Sequence, residues 1–128
     1  MNVLLDTHVA LWAIVNSPKL SETARDIILA QNSNLFVSAA SVWEIGIKHA
    51  LQRGDMPVSA KAALQYFRQA GYQILAVETD HTVAVETLPL HHQDPFDRLL
   101  VAQALVEPLR LITHDRQVAR YSDTIILV

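Results

Sequence analysis

A chain of 128 residues is long enough for one domain, residues 1–128, and too short for two. With 51% hydrophobic residues and a mean hydropathy of +0.20 it has ample material for a core, which excludes global disorder. Cysteine is absent and the formal net charge is −3, so disulfides, thiolate metal sites and a strongly basic nucleic-acid surface are all excluded.

The elements read as follows in chain order. Asn2 to Leu5 is a short buried strand ending at Asp6, and Val9 to Val15 continues as a helix stopped by Asn16-Ser17-Pro18. Ser21 caps a second helix that runs to about Ala30, and Leu35 to Val37 is the second strand. Ser41 is expected to open a helix to about Leu51, with Gly54 as its stop signal. Ser59 caps a fourth helix that ends at Gly71, and Ile74 to Val77 is the third strand. Asp80 is expected to cap a helix reaching Leu88, followed by a polar loop after Pro89. A helix from Pro95 to Val106 ends before Pro108; Leu111 to Thr113 and Ile125 to Val128 are the last two strands. Short apolar strands alternating with helices specify an α/β fold, a mostly parallel five-stranded sheet with helices on both faces.

That topology gives four acidic residues a shared address. Asp6, Glu44, Asp97 and Asp115 stand where strands end or helices begin, and in an open α/β sheet these junctions converge on the carboxyl edge. Each has an ordinary explanation. Asp6, Asp94 and Asp115 suit N-cap positions, and Pro95 after Asp94 suits the first helical position. Asp97 then falls where the helix dipole favours a negative charge. Glu44 has capping-box spacing from Ser41 and ion-pair spacing to Lys48. Acidic caps on every element that meets at one edge need a further reason. Two carboxylates 4 Å apart repel by roughly 4 kcal/mol at a surface-like dielectric, and a hard divalent cation removes that cost. Mg²⁺ or Mn²⁺ held by such a set activates water and stabilises charge on a phosphate. Setting these four acids aside also turns the charge balance slightly positive, which weakens the objection to a nucleic-acid substrate.

In motif content the chain resembles the PIN domain, specifically the toxin-type nucleases of bacterial VapBC toxin–antitoxin pairs. Leu4-Leu5-Asp6-Thr7-His8 looks like the first motif, Ser38 with Ser41 and Glu44 the second, Asp97 through Ala104 the third, and Thr113-His114-Asp115 the last. The resemblance covers nearly the whole chain in order. It implies a metal-dependent endoribonuclease acting as a toxin, with Asp6, Glu44, Asp97 and Asp115 as Mg²⁺ or Mn²⁺ ligands and Thr7 supporting them. It further implies an RNA substrate, an antitoxin that blocks the cleft, and a homodimer. A cytoplasmic location is expected instead from the longest apolar run, Val9 to Val15, being far short of a bilayer span, and from Asp6 falling inside what would be a signal peptide's apolar part. Asp94 is one turn before Asp97, so spacing leaves open which of them touches metal. Arg98 suits either phosphate binding or an ion pair with Asp94.

The remaining polar and aromatic residues carry weaker expectations. His8 and His114 flank proposed ligands and suit orientation of substrate or water. His49 and His81 read as surface residues, and adjacent His91 and His92 have no metal-ligand spacing. Trp12 and Trp43 read as core or dimer contacts. Residues Ala62 to Phe67 form an amphipathic face suited to the core or to an antitoxin helix. Two alternatives remain: a receiver-like phospho-acceptor domain, and a PIN fold that binds partners without catalysis.

Overall fold

The first and fourth strands are short runs of bulky aliphatic residues, which can satisfy their backbone only through lateral neighbours and lose water from both faces. In the structure, a computed structural model that describes residues 1–52 and 56–128, they lie at the centre of one sheet. The strands are β1 (Asn2–Leu5), β2 (Asn34–Ser38), β3 (Gln73–Leu75), β4 (Arg110–Thr113) and β5 (Ile126–Leu127). Their order is β3-β2-β1-β4-β5 and every pairing is parallel. The helices are α1 (Thr7–Ile14), α2 (Glu22–Leu29), α3 (Ala39–Ala50), α4 (Ala60–Gln69), α5 (Thr79–Ala84), α6 (Pro95–Val106) and α7 (Arg116–Ala119), with a 3₁₀ turn at Val85–Thr87.

Strand alternation divides the core in two. Val3, Leu5 and Ile112 pack with Val9, Ile45, Ala63 and Phe67 on one face. Leu4 and Leu111 pack with Leu100, Val101, Ala104 and Val118 on the other. Thus α1, α3 and α4 cover one side, α6 and α7 the other, giving the expected three layers. Because Leu4 and Leu5 are both fully buried on opposite faces, a one-residue register slip would exchange them between two differently shaped cores. The amphipathic face of α4 belongs to the core through Ala63 and Phe67.

Several boundaries differ from expectation for identifiable reasons. Helix α1 begins two residues early, at Thr7, because Asp6 Oδ1 accepts the Val9 N–H at 2.8 Å. Helix α3 is capped by Ser38 rather than Ser41: β2 runs straight into it, and Ser38 Oγ accepts the Ala40 N–H at 3.0 Å. Ser41 is inside the helix, buried, so no capping box joins it to Glu44. Asp80 is not a cap either. Glu78 begins α5 through a reciprocal capping box with His81, and the helix gives way to the 3₁₀ turn after Ala84. His81 is a clear correction, being 0% exposed rather than at the surface. Its Nδ1 accepts the Glu78 N–H at 2.9 Å and its Nε2 meets Glu107 Oε2 at 2.6 Å, so the buried ring is satisfied. Strand β3 stops at Leu75, short of Val77. Gly71 ends α4 with φ of 85°, a left-handed conformation that glycine adopts without steric cost. The expected stop at Gly54 lies outside the described residues.

From β1 the chain adds β2 and then β3 on one side, and later places β4 and β5 on the other. The order reverses between β1 and β4, so their carboxyl ends open a crevice at the topological switch point.

Candidate active site

All four predicted acids line one cavity of about 230 Å³ at that crevice, together with His8, Lys48, His92, Asp94 and His114. Asp6, directly after β1, is nearly buried and fixed through both oxygens. Oδ1 takes the Val9 N–H at 2.8 Å, and Oδ2 takes the Thr113 hydroxyl of neighbouring β4 at 2.6 Å. Thr113 Oγ1 in turn accepts the Asp115 N–H at 3.0 Å, tying two of the acids together. Thr7 donates to Ser41 Oγ at 2.8 Å, joining the starts of α1 and α3 behind the cavity.

Glu44 reaches the cavity from the second turn of α3 and is 2% exposed. Its Oε2 pairs with Lys48 at 2.8 Å, the i,i+4 arrangement expected, whereas Oε1 is buried with no protein partner. Asp94 caps α6, its Oδ1 accepting the Phe96 N–H at 2.8 Å and the Asp97 N–H at 3.2 Å. Asp97 therefore faces the cavity from the first turn of α6. Asp115 caps α7 through Gln117 and Val118.

The electrostatics of this cavity are uneven. Burial, then the charges of Asp94, Asp6 and Glu44, push the Asp97 carboxyl up to about 7, against which nearby His92 acts weakly. Burial would also raise Asp115, but hydrogen bonds from Gln117, His92 and Val118 outweigh it and hold that carboxyl below its ordinary value. His114 is raised, chiefly by the Asp6 carboxylate, whose Oδ2 lies 3.7 Å from Nδ1; partial burial opposes this, and the Asp115 and Asp97 charges reinforce it.

The residues fit a hard divalent cation. A buried carboxylate oxygen without a donor ordinarily costs about 1–3 kcal/mol, and Glu44 Oε1 is such an oxygen at the wall of an acidic cavity. The donor set is oxygen-rich, as Mg²⁺ and Mn²⁺ require. Atoms of His92, Asp97 and Asp115 also lie within 4.8 Å of one another.

The PIN domain profile matches residues 3–123. This chain belongs to the PIN-domain family. That membership replaces the receiver-like alternative, and a relative narrows it further. Ribonuclease VapC22 of Mycobacterium tuberculosis is 30% identical over 118 residues, covering 90% of this chain and 88% of that protein. The PIN fold here superposes on VapBC2 from Rickettsia felis bound to a promoter DNA fragment, with a TM-score of 0.72, 19% identity and coverage of 100% and 98% of the two chains. A toxin–antitoxin complex from Klebsiella pneumoniae gives a TM-score of 0.64 at 15% identity, covering 97% and 95%. Among the described residues no helix is long and apolar enough to cross a membrane.

Sequence reasoning placed the four acids and missed what holds them. Thr113 was read as strand and as part of the last motif, with no role of its own, although its spacing to Asp115 is that of a side chain bonding the backbone two residues on. His92 was set aside with His91, yet its Nε2 lies 3.1 Å from Asp115 and 3.3 Å from Asp97. Arg98 is engaged by carbonyls and a tyrosine rather than by Asp94. Its Nη1 donates to Pro89 O at 2.9 Å and the Tyr121 hydroxyl at 3.0 Å, and its Nη2 to Val85 O at 3.1 Å. It fastens the segment before α6. Nothing local in the sequence announces that role, since the partners are carbonyls and a tyrosine 23 residues away. His8, Trp12 and His114 form an aromatic group beside the cavity, with Trp12 and His114 centroids 4.7 Å apart. Trp12 also packs on the core as expected, whereas Trp43 is 61% exposed.

Proposed function

We propose that this chain is an endoribonuclease that hydrolyses RNA phosphodiester bonds with Mg²⁺ or Mn²⁺ held by Asp6, Glu44, Asp97 and Asp115. It acts, in this reading, as the cytoplasmic toxin of a toxin–antitoxin pair. The observation that carries the proposal is the convergence of these four carboxylates, from four separate elements, on one cavity beside a partnerless Glu44 oxygen. A cation bound there supplies a polarised water as nucleophile and neutralises charge on the scissile phosphate.

The chain's own groups divide the remaining work. Thr113 and the Val9 N–H lock Asp6 in one orientation, so its position is set before substrate arrives. Lys48 holds Glu44 Oε2 and leaves Oε1 as the available acceptor. His114, biased toward its charged form by Asp6, offers positive charge at the rim where phosphate oxygens approach. Asp94 serves as the cap that orients the first turn of α6, with Asp97 the ligand.

The ribonuclease name of the Mycobacterium relative supports RNA as the substrate, and the Klebsiella complex supports an antitoxin as partner. A homodimer suits the apolar recess formed by Trp43, Thr82, Val85, Pro95, Phe96 and Leu99, where Trp43 stands edge-on to Phe96 at 5.1 Å.

The test is cleavage of a mixed pool of structured RNAs by the purified chain in Mg²⁺, Mn²⁺ or EDTA, beside Asp97→Asn. Cleavage that requires the metal and disappears in the folded variant is expected. Cleavage that persists in EDTA, or survives the substitution, removes the site assignment.

A further inference from the structure

We propose that His92 is a positioning residue of the acidic cavity: its Nε2–H, hydrogen-bonded to Asp115 and in close contact with Asp97, fixes the spacing of the two carboxylates, and the ring itself is not a metal ligand. The inference deepens the ribonuclease reading and rests on it for the role of the two acids.

The argument turns on where the ring proton must be. The backbone N–H of Asp94 donates to His92 Nδ1 at 3.0 Å. A backbone N–H can only donate, so Nδ1 presents a lone pair, and a neutral imidazole then carries its proton on Nε2. That Nε2 donates to Asp115 Oδ2 at 3.1 Å, and Asp97 Oδ2 lies 3.3 Å from the same nitrogen. An N–H donated to one carboxylate while a second lies against the same nitrogen bridges the two acids, the opposite of a coordinating nitrogen. Metal ligation through Nε2 would require its lone pair. With Nδ1 already accepting, the ring would have to lose its last proton or abandon the Asp94 contact. His92 therefore stands in a group of metal-like composition beside Asp97 and Asp115 without itself serving as a ligand.

The ring is also held in place from behind. His92 N–H donates to the Tyr121 hydroxyl at 3.0 Å, and that hydroxyl donates back to His92 O at 3.3 Å. Arg98 donates to the same tyrosine oxygen and to the carbonyls of Val85, Leu88 and Pro89. A segment with no regular structure of its own is thus tied down on both sides of His92. Asp97 comes from α6 and Asp115 from the end of β4, and this bridge joins the two elements within the cavity. Side chains that orient ligand carboxylates typically change metal affinity or activity about 10–100-fold when removed.

The first experiment reads the tautomer by long-range ¹H–¹⁵N correlation of the histidine rings in the full chain, with EDTA and then saturating Mg²⁺. The expected result is an unprotonated Nδ1 and a protonated Nε2 for His92 in both conditions. A proton on Nδ1, or loss of the Nε2 proton as Mg²⁺ binds, overturns the proposal. This readout holds whether or not the chain cleaves RNA, so its failure is distinct from failure of the ribonuclease reading. The second compares His92→Leu with His92→Gln, whose amide N–H can reach the Nε2 position. His92→Leu is expected to weaken Mg²⁺ binding by calorimetry at least about ten-fold and to lower kcat with little change in KM. His92→Gln is expected to recover most of both. Equal loss in the two folded variants, or loss in neither, overturns the bridge.

Discussion

Asp97 experiences two opposing effects, and their sizes decide which dominates. At the third position of α6 its charge gains about 0.3–1 kcal/mol from the helix dipole. Against that, burial and three neighbouring acids raise its carboxyl from 3.8 to about 7, a shift worth on the order of 2–4 kcal/mol after allowance for partial exposure. Repulsion wins. In the absence of metal the folded chain holds a proton between about pH 4 and pH 7 that the unfolded chain has released. This contribution to stability is therefore complete below the unfolded value and is lost as pH rises through the folded one. Melting in EDTA should show wild type losing ground to Asp97→Asn across that window, with the variant the more stable above pH 7. A variant that is less stable throughout would reduce Asp97 to a helix-terminal charge. His92 illustrates the same scale differently: its chemistry follows from which nitrogen accepts one backbone N–H.

At the scale of elements, the reach of sequence reasoning depended on how local the deciding contact was. Asp94-Pro95 announced the start of α6 because a cap and the following helical position are set within one turn. Ser38 and Ser41 were confused because β2 enters α3 with no loop, leaving two serines one turn apart before the same apolar stripe. His81 was misplaced because Asp80 and Thr82 make its surroundings look wet. The partners that bury it, Glu78 and Glu107, belong to a capping box and to the far end of α6. The segment from Leu88 to Asp94 has no period to read, and its order comes from Arg98 and Tyr121. That dependence yields a prediction for the element itself. Arg98→Lys keeps the charge but loses the planar fork that serves several acceptors at once. Amide exchange should quicken in residues 88–94 while α6 stays protected. Unchanged exchange in that segment would show that the arginine does not hold it.

For the molecule as a whole, the α/β architecture and the convergence of Asp6, Glu44, Asp97 and Asp115 were legible. Strand burial and parallel topology leave the carboxyl edge as the only place those junctions can meet. Associations beyond the single chain follow from surface chemistry. Trp43 is 61% exposed at the apolar recess, and its proposed occupant is a second copy of the same recess. Trp43→Arg should convert a sedimenting dimer to a monomer and alter melting of the monomer by no more than about 0.5 kcal/mol. A wild-type chain that sediments as a monomer at high concentration would remove that surface from consideration.

The Asp6–Thr113 hydrogen bond spans 107 residues of sequence and lies between adjacent central strands. During synthesis Asp6, Glu44 and Asp97 are all made before β4 exists, so three of the four acids precede the strand that aligns the first of them. A nascent or broken chain ending before Arg110 has three of the four proposed ligands but lacks Asp115 and the Thr113 hydroxyl that fixes Asp6 Oδ2. For a protein proposed to harm its own cell, the pairing of β1 with β4 acts as a timer, withholding the blade until translation is nearly done.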